Sequence, residues 1–100
     1  MPARVLFTPL AERHLDRLHA YIAEQTSERI ADGYIGRIVA FCESLTTFPL
    51  RGAARDDLLT GLRVVGFERR ATIAFMVTSE AVLIEGVFYG GQDFEANFRE

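Results

Sequence analysis

The chain has 100 residues, a formal net charge of −3 and a composition in which 49% of residues are hydrophobic. These values predict a single globular domain over residues 1–100 and exclude a disordered chain. No apolar run approaches the roughly 20 residues of a membrane span, and the start MPARVLFTPL lacks the pattern of a signal peptide. We therefore expect a cytoplasmic protein without membrane contacts, and the single cysteine, Cys42, excludes an internal disulfide.

The first 25 residues predict a strand followed by a helix. The letters ARVLF at 3–7 are typical of a short strand. Thr8 is suited to capping a helix, and Pro9 fits the first helical position, where its missing N–H costs nothing. Apolar residues then recur at helical spacing as far as Ile22, which predicts an amphipathic helix.

A second helix is predicted after a break at Thr26 and Ser27, either of which can cap it. Pro49 marks its end, and the short connection between the two helices predicts an antiparallel hairpin. Gly33 and Gly36 lie inside this helix, where glycine weakens the structure. They either allow the first helix to approach closely or are tolerated weak points.

The second half of the chain predicts a β-meander. Residues 49–61 are expected to form a loop, and the runs LRVVGF, ATIAFMVT and AVLIEGVFY follow, separated by short turns. A tail at 93–98 predicts one helical turn with two phenylalanines on the same side. The order β-α-α-β-β-β predicts an α+β two-layer fold, with the helical hairpin packed on one face of a four-stranded antiparallel sheet. Alternating directions along the chain make the first strand antiparallel to either edge of the meander.

Both faces of the last two predicted strands are apolar, although two helices can cover only one of them. An exposed apolar face usually marks an interaction site, so either a partner covers it or the loop at 49–61 and the tail fold over it. The residues expected to bind a partner are Ile73, Phe75, Val77, Leu83, Val87 and Tyr89.

Three short motifs stand at characteristic places in this order of elements. PLRG at 49–52 follows the second helix, GLR at 61–63 opens the next strand, and GGQDFEANF at 90–98 follows the last strand. Together they resemble the RelE/ParE toxin superfamily over essentially the whole chain, and the ending is similar to its ParE branch. The resemblance implies a type II toxin neutralised by a ParD-like antitoxin in a hetero-oligomer, bound by helix-in-groove packing or strand addition. It also implies that the first strand lies beside the last.

The superfamily implies two alternative activities. RelE-like members are ribosome-dependent mRNA endoribonucleases, whereas ParE-like members inhibit DNA gyrase by binding and are not enzymes. This chain has no lysine, and Thr72 stands where nuclease members often carry an arginine. Its negative net charge also argues against a broad basic surface and against specific DNA binding by this chain alone. These features favour a gyrase inhibitor without catalytic residues, in which Tyr89 closes the sheet; the alternatives are a ribonuclease and an inactive relative that only binds its partner.

Several residues are expected at the surface that contacts the target. They are Arg63, Arg69, Arg70, Asp93, Phe94 and Phe98. Gly90 and Gly91 are expected to give a sharp exit from the last strand that a side chain would obstruct. His14 and His19 are five residues apart on one helix and point to different sides, so we expect no metal site and no cofactor.

Overall fold

The computed structural model describes residues 2–99, in which two helices pack on one face of a mixed five-stranded sheet. The α+β prediction is therefore correct in its layers and in the helical hairpin. The elements in chain order are β1 (Arg4–Phe7), α1 (Pro9–Gln25), α2 (Glu28–Ser44), β2 (Ala53–Ala54), β3 (Leu62–Phe67), β4 (Ala71–Val77), β5 (Ala81–Tyr89) and a 3₁₀ turn (Phe94–Asn97).

Both predicted helix starts are confirmed by their caps. The Thr8 hydroxyl accepts a hydrogen bond from the Ala11 N–H at 3.1 Å, and the Ser27 hydroxyl accepts one from the Ile30 N–H at 3.2 Å. Each cap satisfies a backbone donor that the first helical turn leaves free, a contribution of about 1 kcal/mol. The second helix ends at Ser44, a few residues before the proline that was expected to stop it.

The two glycines inside α2 are not packing sites. A Cβ atom added at Gly36 would meet nothing within 4 Å, and one at Gly33 would meet only the end of the Arg37 side chain at 3.8 Å. The interpretation that these glycines allow a close helix approach is therefore wrong, and they are tolerated weak points on the exposed side of the helix.

The sheet differs from the prediction in strand number and direction. Its order is β1-β5-β4-β3-β2, with β1 parallel to β5 and all other pairs antiparallel. The extra strand, β2, lies inside the segment 49–61 that was predicted to be a loop. Because β2 adds one reversal of the chain, every later strand runs opposite to the predicted direction. The expectation that the first strand lies beside the last is confirmed.

The reversal into β2 is built by two of the sequence motifs. Gly52 has a φ of 72°, and a Cβ atom there would lie 2.0 Å from the carbonyl oxygen of Val64. The Arg63 guanidinium donates to the backbone carbonyls of Leu50 at 2.8 Å, Arg51 at 3.1 Å and Gly52 at 3.3 Å. The PLRG and GLR motifs thus meet in space, where glycine permits the close approach and arginine holds the loop against β3.

Apolar side chains form a core on each face of the sheet. On the helix side, the fully buried side chains include Phe75, Ile73 and Ile84, each contributing about 1.5–3 kcal/mol by burial. On the opposite face, which we call the outer face, Leu62, Ala74 and Phe88 are buried beneath partly buried side chains from the loop and the tail: Leu58, Phe94 and Phe98.

A β-bulge in β5 changes which residues share a face. Ala74 pairs with Gly86 and Phe75 with Ile84, so Glu85 is an extra residue without an opposite partner in β4. Leu83 therefore lies on the outer face, while Val87 beyond the bulge belongs to the helix-side core.

Candidate functional site

The six residues expected to bind a partner are divided between the two faces of the sheet. Ile73, Phe75 and Val87 are buried in the helix-side core. Val77 and Tyr89 pack partly exposed against the same core, and Leu83 is partly exposed on the outer face. A partner can therefore reach Val77, Leu83 and Tyr89 without opening the core.

The outer face is covered by the chain itself at one end and open at the other. The rings of Phe94 and Phe98 lie 6.1 and 6.2 Å from the ring of Phe88, so the predicted helical turn exists and packs on this face. At the other end, Leu6 of β1 is 41% exposed and pairs in register with Leu83. The tail and the loop therefore cover part of this face, and the partner that the sequence analysis offered as the alternative cover stays a prediction.

An apolar groove lies beside the free edge of the sheet. β1 is the last strand at its end of the sheet, so one side of its backbone has no strand partner within residues 2–99. The groove has a volume of about 530 Å³ and runs between β1 and the helices. Its apolar lining includes Val5, Phe7 and Ile35, and its rim carries the carboxylates of Glu12 and Asp16.

A second, larger hollow lies between α1 and the end of β5, with a volume of about 780 Å³. Arg17 and Tyr21 line it from α1, Arg70 from the turn between β3 and β4, and Tyr89 from the end of β5. Gly90, Gly91, Gln92, Asp93 and Asn97 complete its wall. We call this cavity the α1–β5 hollow.

His14 lies in the wall of this hollow as a neutral imidazole. Its Nδ1 accepts a hydrogen bond from the Val87 N–H at 3.0 Å, which requires the ring proton to be on Nε2. Burial lowers the pKa of His14 below its usual 6.5, and the nearby charges of Arg17 and Arg13 lower it further. The ring packs edge-on against Phe88 at 4.9 Å. His14 therefore presents one N–H donor at neutral pH.

Three tyrosines form a cluster next to the hollow. The ring of Tyr89 lies 6.2 Å from that of Tyr21 and 5.9 Å from that of Tyr34. The Tyr34 hydroxyl is buried without a hydrogen-bond partner among the described residues, and burial raises the pKa of Tyr34. Tyr89 is therefore held by aromatic packing at the end of the strand, where it both completes the core and borders the hollow.

The hairpin turn between β3 and β4 has an unusual backbone. Glu68 and Arg69 have positive φ values of 48° and 66°, a conformation that favours glycine or asparagine. The Glu68 carboxylate accepts two hydrogen bonds from the Arg37 guanidinium, at 2.8 and 3.1 Å, which anchors the turn to α2 and lowers the pKa of Glu68. Arg69 and Arg70 are exposed residues of this turn, and Arg70 also lines the α1–β5 hollow.

The other residues expected at the target surface lie in different places. Arg63 holds the loop before β2, so its guanidinium is engaged with the protein backbone. Phe94 and Phe98 pack on the outer face, whereas Asp93 caps the tail by accepting the Glu95 N–H at 3.1 Å. Asp93 and Arg70 both line the α1–β5 hollow, so the structure brings these two expected residues together.

The tail is attached to the β2–β3 segment by an ion-pair network. Arg55 donates to the Glu95 carboxylate at 2.6 Å and to both oxygens of Asp57 at 2.9 Å, and its guanidinium lies over the ring of Phe94. Arg99 adds a second contact to Glu95 at 3.0 Å. This network fixes the tail over the outer face and defines one border of the surface that remains open.

Sequence reasoning did not identify the contributions of Leu6, Arg17 and His14 to these sites. The signal for Leu6 was present, since it is the apolar outer residue of an edge strand. Arg17 and His14 carried no such signal, because only the packing of α1 against β5 brings them to the hollow. Within residues 2–99, no three side chains of the metal-ligating types are grouped to hold an ion, and neither helix is long and apolar enough to cross a bilayer.

The chain is a small α+β protein in which an apolar groove lies beside the β1 edge of the sheet. The sequence model of a family described as the ParE toxin of the type II toxin-antitoxin system parDE matches residues 5–94. The chain therefore belongs to the ParE toxin family, which confirms the resemblance found in the sequence.

A solved structure described as the chromosomal ParDE TA system from P. aeruginosa has the same fold. The two chains superpose with a TM-score of 0.76 at 21% sequence identity, over 90% of this chain and 97% of the other. Among curated proteins, no sequence is similar enough to count as a match.

Proposed function

We propose that this chain is a cytoplasmic toxin that is neutralised by a ParD-like antitoxin and inhibits DNA gyrase by binding it. The observation that supports the toxin–antitoxin role is the outer edge of β1, which has no strand partner within the described residues and lies beside an apolar groove. An exposed edge of this kind is a template for strand addition and is normally protected. An antitoxin segment that pairs with β1 protects it in the complex.

The chemistry of the groove defines the antitoxin segment. Side chains that alternate along an added strand enter the groove on one side and reach Leu6 and Leu83 on the other. The carboxylates of Glu12 and Asp16 at the rim favour basic residues in that segment. The bound antitoxin then contacts Val77 or Leu83 at the open end of the sheet and leaves the buried residues Ile73 and Phe75 in the core.

The antitoxin site is tested by measuring binding of the cognate antitoxin to surface variants. Leu6→Asp and Leu83→Asp are expected to weaken binding at least about tenfold, because each places a charge in an apolar contact. Leu50→Asp is the matched control, since Leu50 is 74% exposed and lies at the other end of the sheet. Equal binding by all three variants would place the antitoxin elsewhere.

The strained turn at Glu68 and Arg69 supports a functional surface at this end of the sheet. Backbone strain is retained where a conformation serves function, and here it accompanies an exposed arginine, Arg69, with a second exposed arginine, Arg70, beside it. Asp93 at the start of the tail extends the same surface. Arg63, Phe94 and Phe98 support this surface indirectly by holding the loop and the tail in place.

The turn allows an experiment that separates target binding from folding. Arg69→Gly relieves the positive φ and is expected to stabilise the chain by about 1–2 kcal/mol, yet to reduce gyrase inhibition. Arg4→Gln is the control for loss of an arginine charge, because Arg4 pairs with Ala81 at the opposite end of the strands from this turn, and it is expected to retain inhibition. The assays are gyrase supercoiling and plasmid cleavage with purified chain, together with cell filamentation on expression without antitoxin. Undiminished inhibition by Arg69→Gly would exclude this turn from the target surface.

A ribosome-dependent ribonuclease is the second candidate, and the α1–β5 hollow favours it. There Arg17 and Arg70 meet His14 and Tyr89, which together offer cations, a ring N–H and a phenol. Expression without antitoxin distinguishes the candidates: a DNA-damage response supports gyrase, and cleaved messenger with rapid loss of translation supports the ribonuclease. Tyr89→Phe is expected to retain toxicity, whereas its complete loss would support the ribonuclease.

A further inference from the structure

We propose that the α1–β5 hollow binds a nucleoside phosphate, with the phosphate held by Arg17 and Arg70 and the base lying against Tyr21 and Tyr89. This site is separate from the groove beside β1, and its ligand does not depend on whether gyrase is the target. The hollow of about 780 Å³ lies within the range of small-molecule sites.

The two arginines of the hollow are free to bind an anion. Within residues 2–99, neither Arg17 nor Arg70 forms a side-chain hydrogen bond or an ion pair. Arg37, Arg55 and Arg63, in contrast, are engaged with carboxylates or backbone carbonyls. A guanidinium presents a planar pair of donors that matches phosphate oxygens, and two of them at one cavity provide charge and orientation for a phosphate.

The aromatic side of the hollow suits a planar base. Tyr21 is 54% exposed although it is a large aromatic residue, and its ring lies 6.2 Å from that of Tyr89. Bases stack on such rings with little dependence on their identity. The His14 N–H at Nε2 and the Gln92 side-chain amide, whose Oε1 accepts the Tyr89 N–H at 2.7 Å, remain as donors for the base edge.

The remaining wall gives room for a sugar. A Cβ atom added at Gly90 or Gly91 would meet nothing within 4 Å, so bare backbone borders the cavity there. Among residues 2–99, Asp93 is the one carboxylate in the lining, and it can accept hydrogen bonds from ribose hydroxyls. Beyond Arg17 and Arg70 the lining contains no further arginine, so the cavity offers a single phosphate-binding end rather than a cationic track for a long strand.

The inference is tested by isothermal titration of the full-length chain with AMP, GMP, ATP and GTP. Adenosine tests the need for phosphate, inorganic pyrophosphate tests the need for a base, and a single-stranded RNA decamer tests for a strand. We expect the dissociation constants of the nucleotides to be lower than those of adenosine and pyrophosphate. We also expect them to be lower than that of the single-stranded RNA decamer. Arg17→Gln and Arg70→Gln are each expected to raise the dissociation constant about tenfold, since each removes a charge-assisted contact.

Two controls keep this test independent of folding and of the proposed toxin role. Arg4→Gln and Arg29→Gln remove the same charge outside the hollow and are expected to bind nucleotides as the unmodified chain does. In the unmodified chain, NMR amide shifts on titration with AMP are expected at Gly90 and Gly91. Absence of nucleotide binding at millimolar concentration, shifts confined to other residues, equal binding of pyrophosphate, or tighter binding of the RNA decamer would each overturn the inference. Gyrase and antitoxin assays read out the proposed function separately.

Discussion

Gly52→Ala is expected to destabilise the chain by about 2–5 kcal/mol, because Gly52 is the point at which the chain reverses into β2. Alanine at a φ of 72° carries a left-handed strain of roughly 1–2 kcal/mol. Its Cβ would lie 2.0 Å from the Val64 carbonyl oxygen and 2.9 Å from Val65 Cβ, so the β2–β3 pairing must shift. Overpacking of this kind costs a further 1–3 kcal/mol.

Urea unfolding followed by circular dichroism measures this effect against two graded controls. Gly90→Ala introduces the backbone strain without the clash, because Gly90 has a φ of 65° and a Cβ atom there would meet nothing within 4 Å. We expect it to lower the free energy of unfolding by about 1–2 kcal/mol. Gly91→Ala carries neither and is expected to change stability by less than about 1 kcal/mol. If Gly52→Ala unfolds at the same urea concentration as Gly90→Ala, the loop does not pack on β3 as described.

Three further predictions concern wholly or partly buried side chains that carry a titratable group. Tyr34→Phe is expected to stabilise the chain by about 1 kcal/mol in urea unfolding, because it removes a buried hydroxyl that has no hydrogen-bond partner among residues 2–99. The same change at the exposed Tyr21 is expected to have no effect. Burial raises the pKa of Cys42 to about 12, so iodoacetamide at pH 8 is expected to label it only after unfolding; labelling of the native chain would contradict its burial. The pKa of His14 is lowered, so its stabilising contribution is complete above pH 6.5 and is lost as pH falls toward the folded-state value; an NMR titration giving a pKa at or above 6.5 would contradict this.

The local structure was largely predictable from the sequence, whereas the strand directions were not. Caps at Thr8 and Ser27, the helical hairpin, the three long strands and the turn in the tail all follow from local patterns. The strand β2 consists of Ala53 and Ala54 alone, a pair without β-branched or aromatic residues, so it carries no sequence signal. Because strand direction depends on counting reversals, one missed strand made the whole sheet appear antiparallel.

The sequence also could not predict which side chains of β4 and β5 lie on each face of the sheet, for a different physical reason. Both faces of β4 are apolar, so alternation alone cannot decide which one meets the helices. In β5 the bulge at Glu85 shifts the alternation, which places Leu83 and Val87 on opposite faces although they are an even number of residues apart. Gly86 follows the bulge directly, and a Cβ atom at this position would lie 2.7 Å from the Phe88 ring, so glycine fits where a larger residue would clash. An isolated glycine inside a strand was the available signal of a bulge.

The distribution of apolar surface explains why the antitoxin site can be altered without loss of the fold. The tail and the loop bury Phe88 and Ala74 on the outer face, so this core is complete without a partner. Leu6 and Leu83 lie beyond that covered region and remain partly exposed. A charge at Leu6 therefore costs little in the free chain, where the side chain already meets water, but costs much in a complex that excludes water. We expect Leu6→Asp to unfold at nearly the same urea concentration as the unmodified chain while binding antitoxin more weakly, and parallel loss of both properties would show that Leu6 belongs to the core.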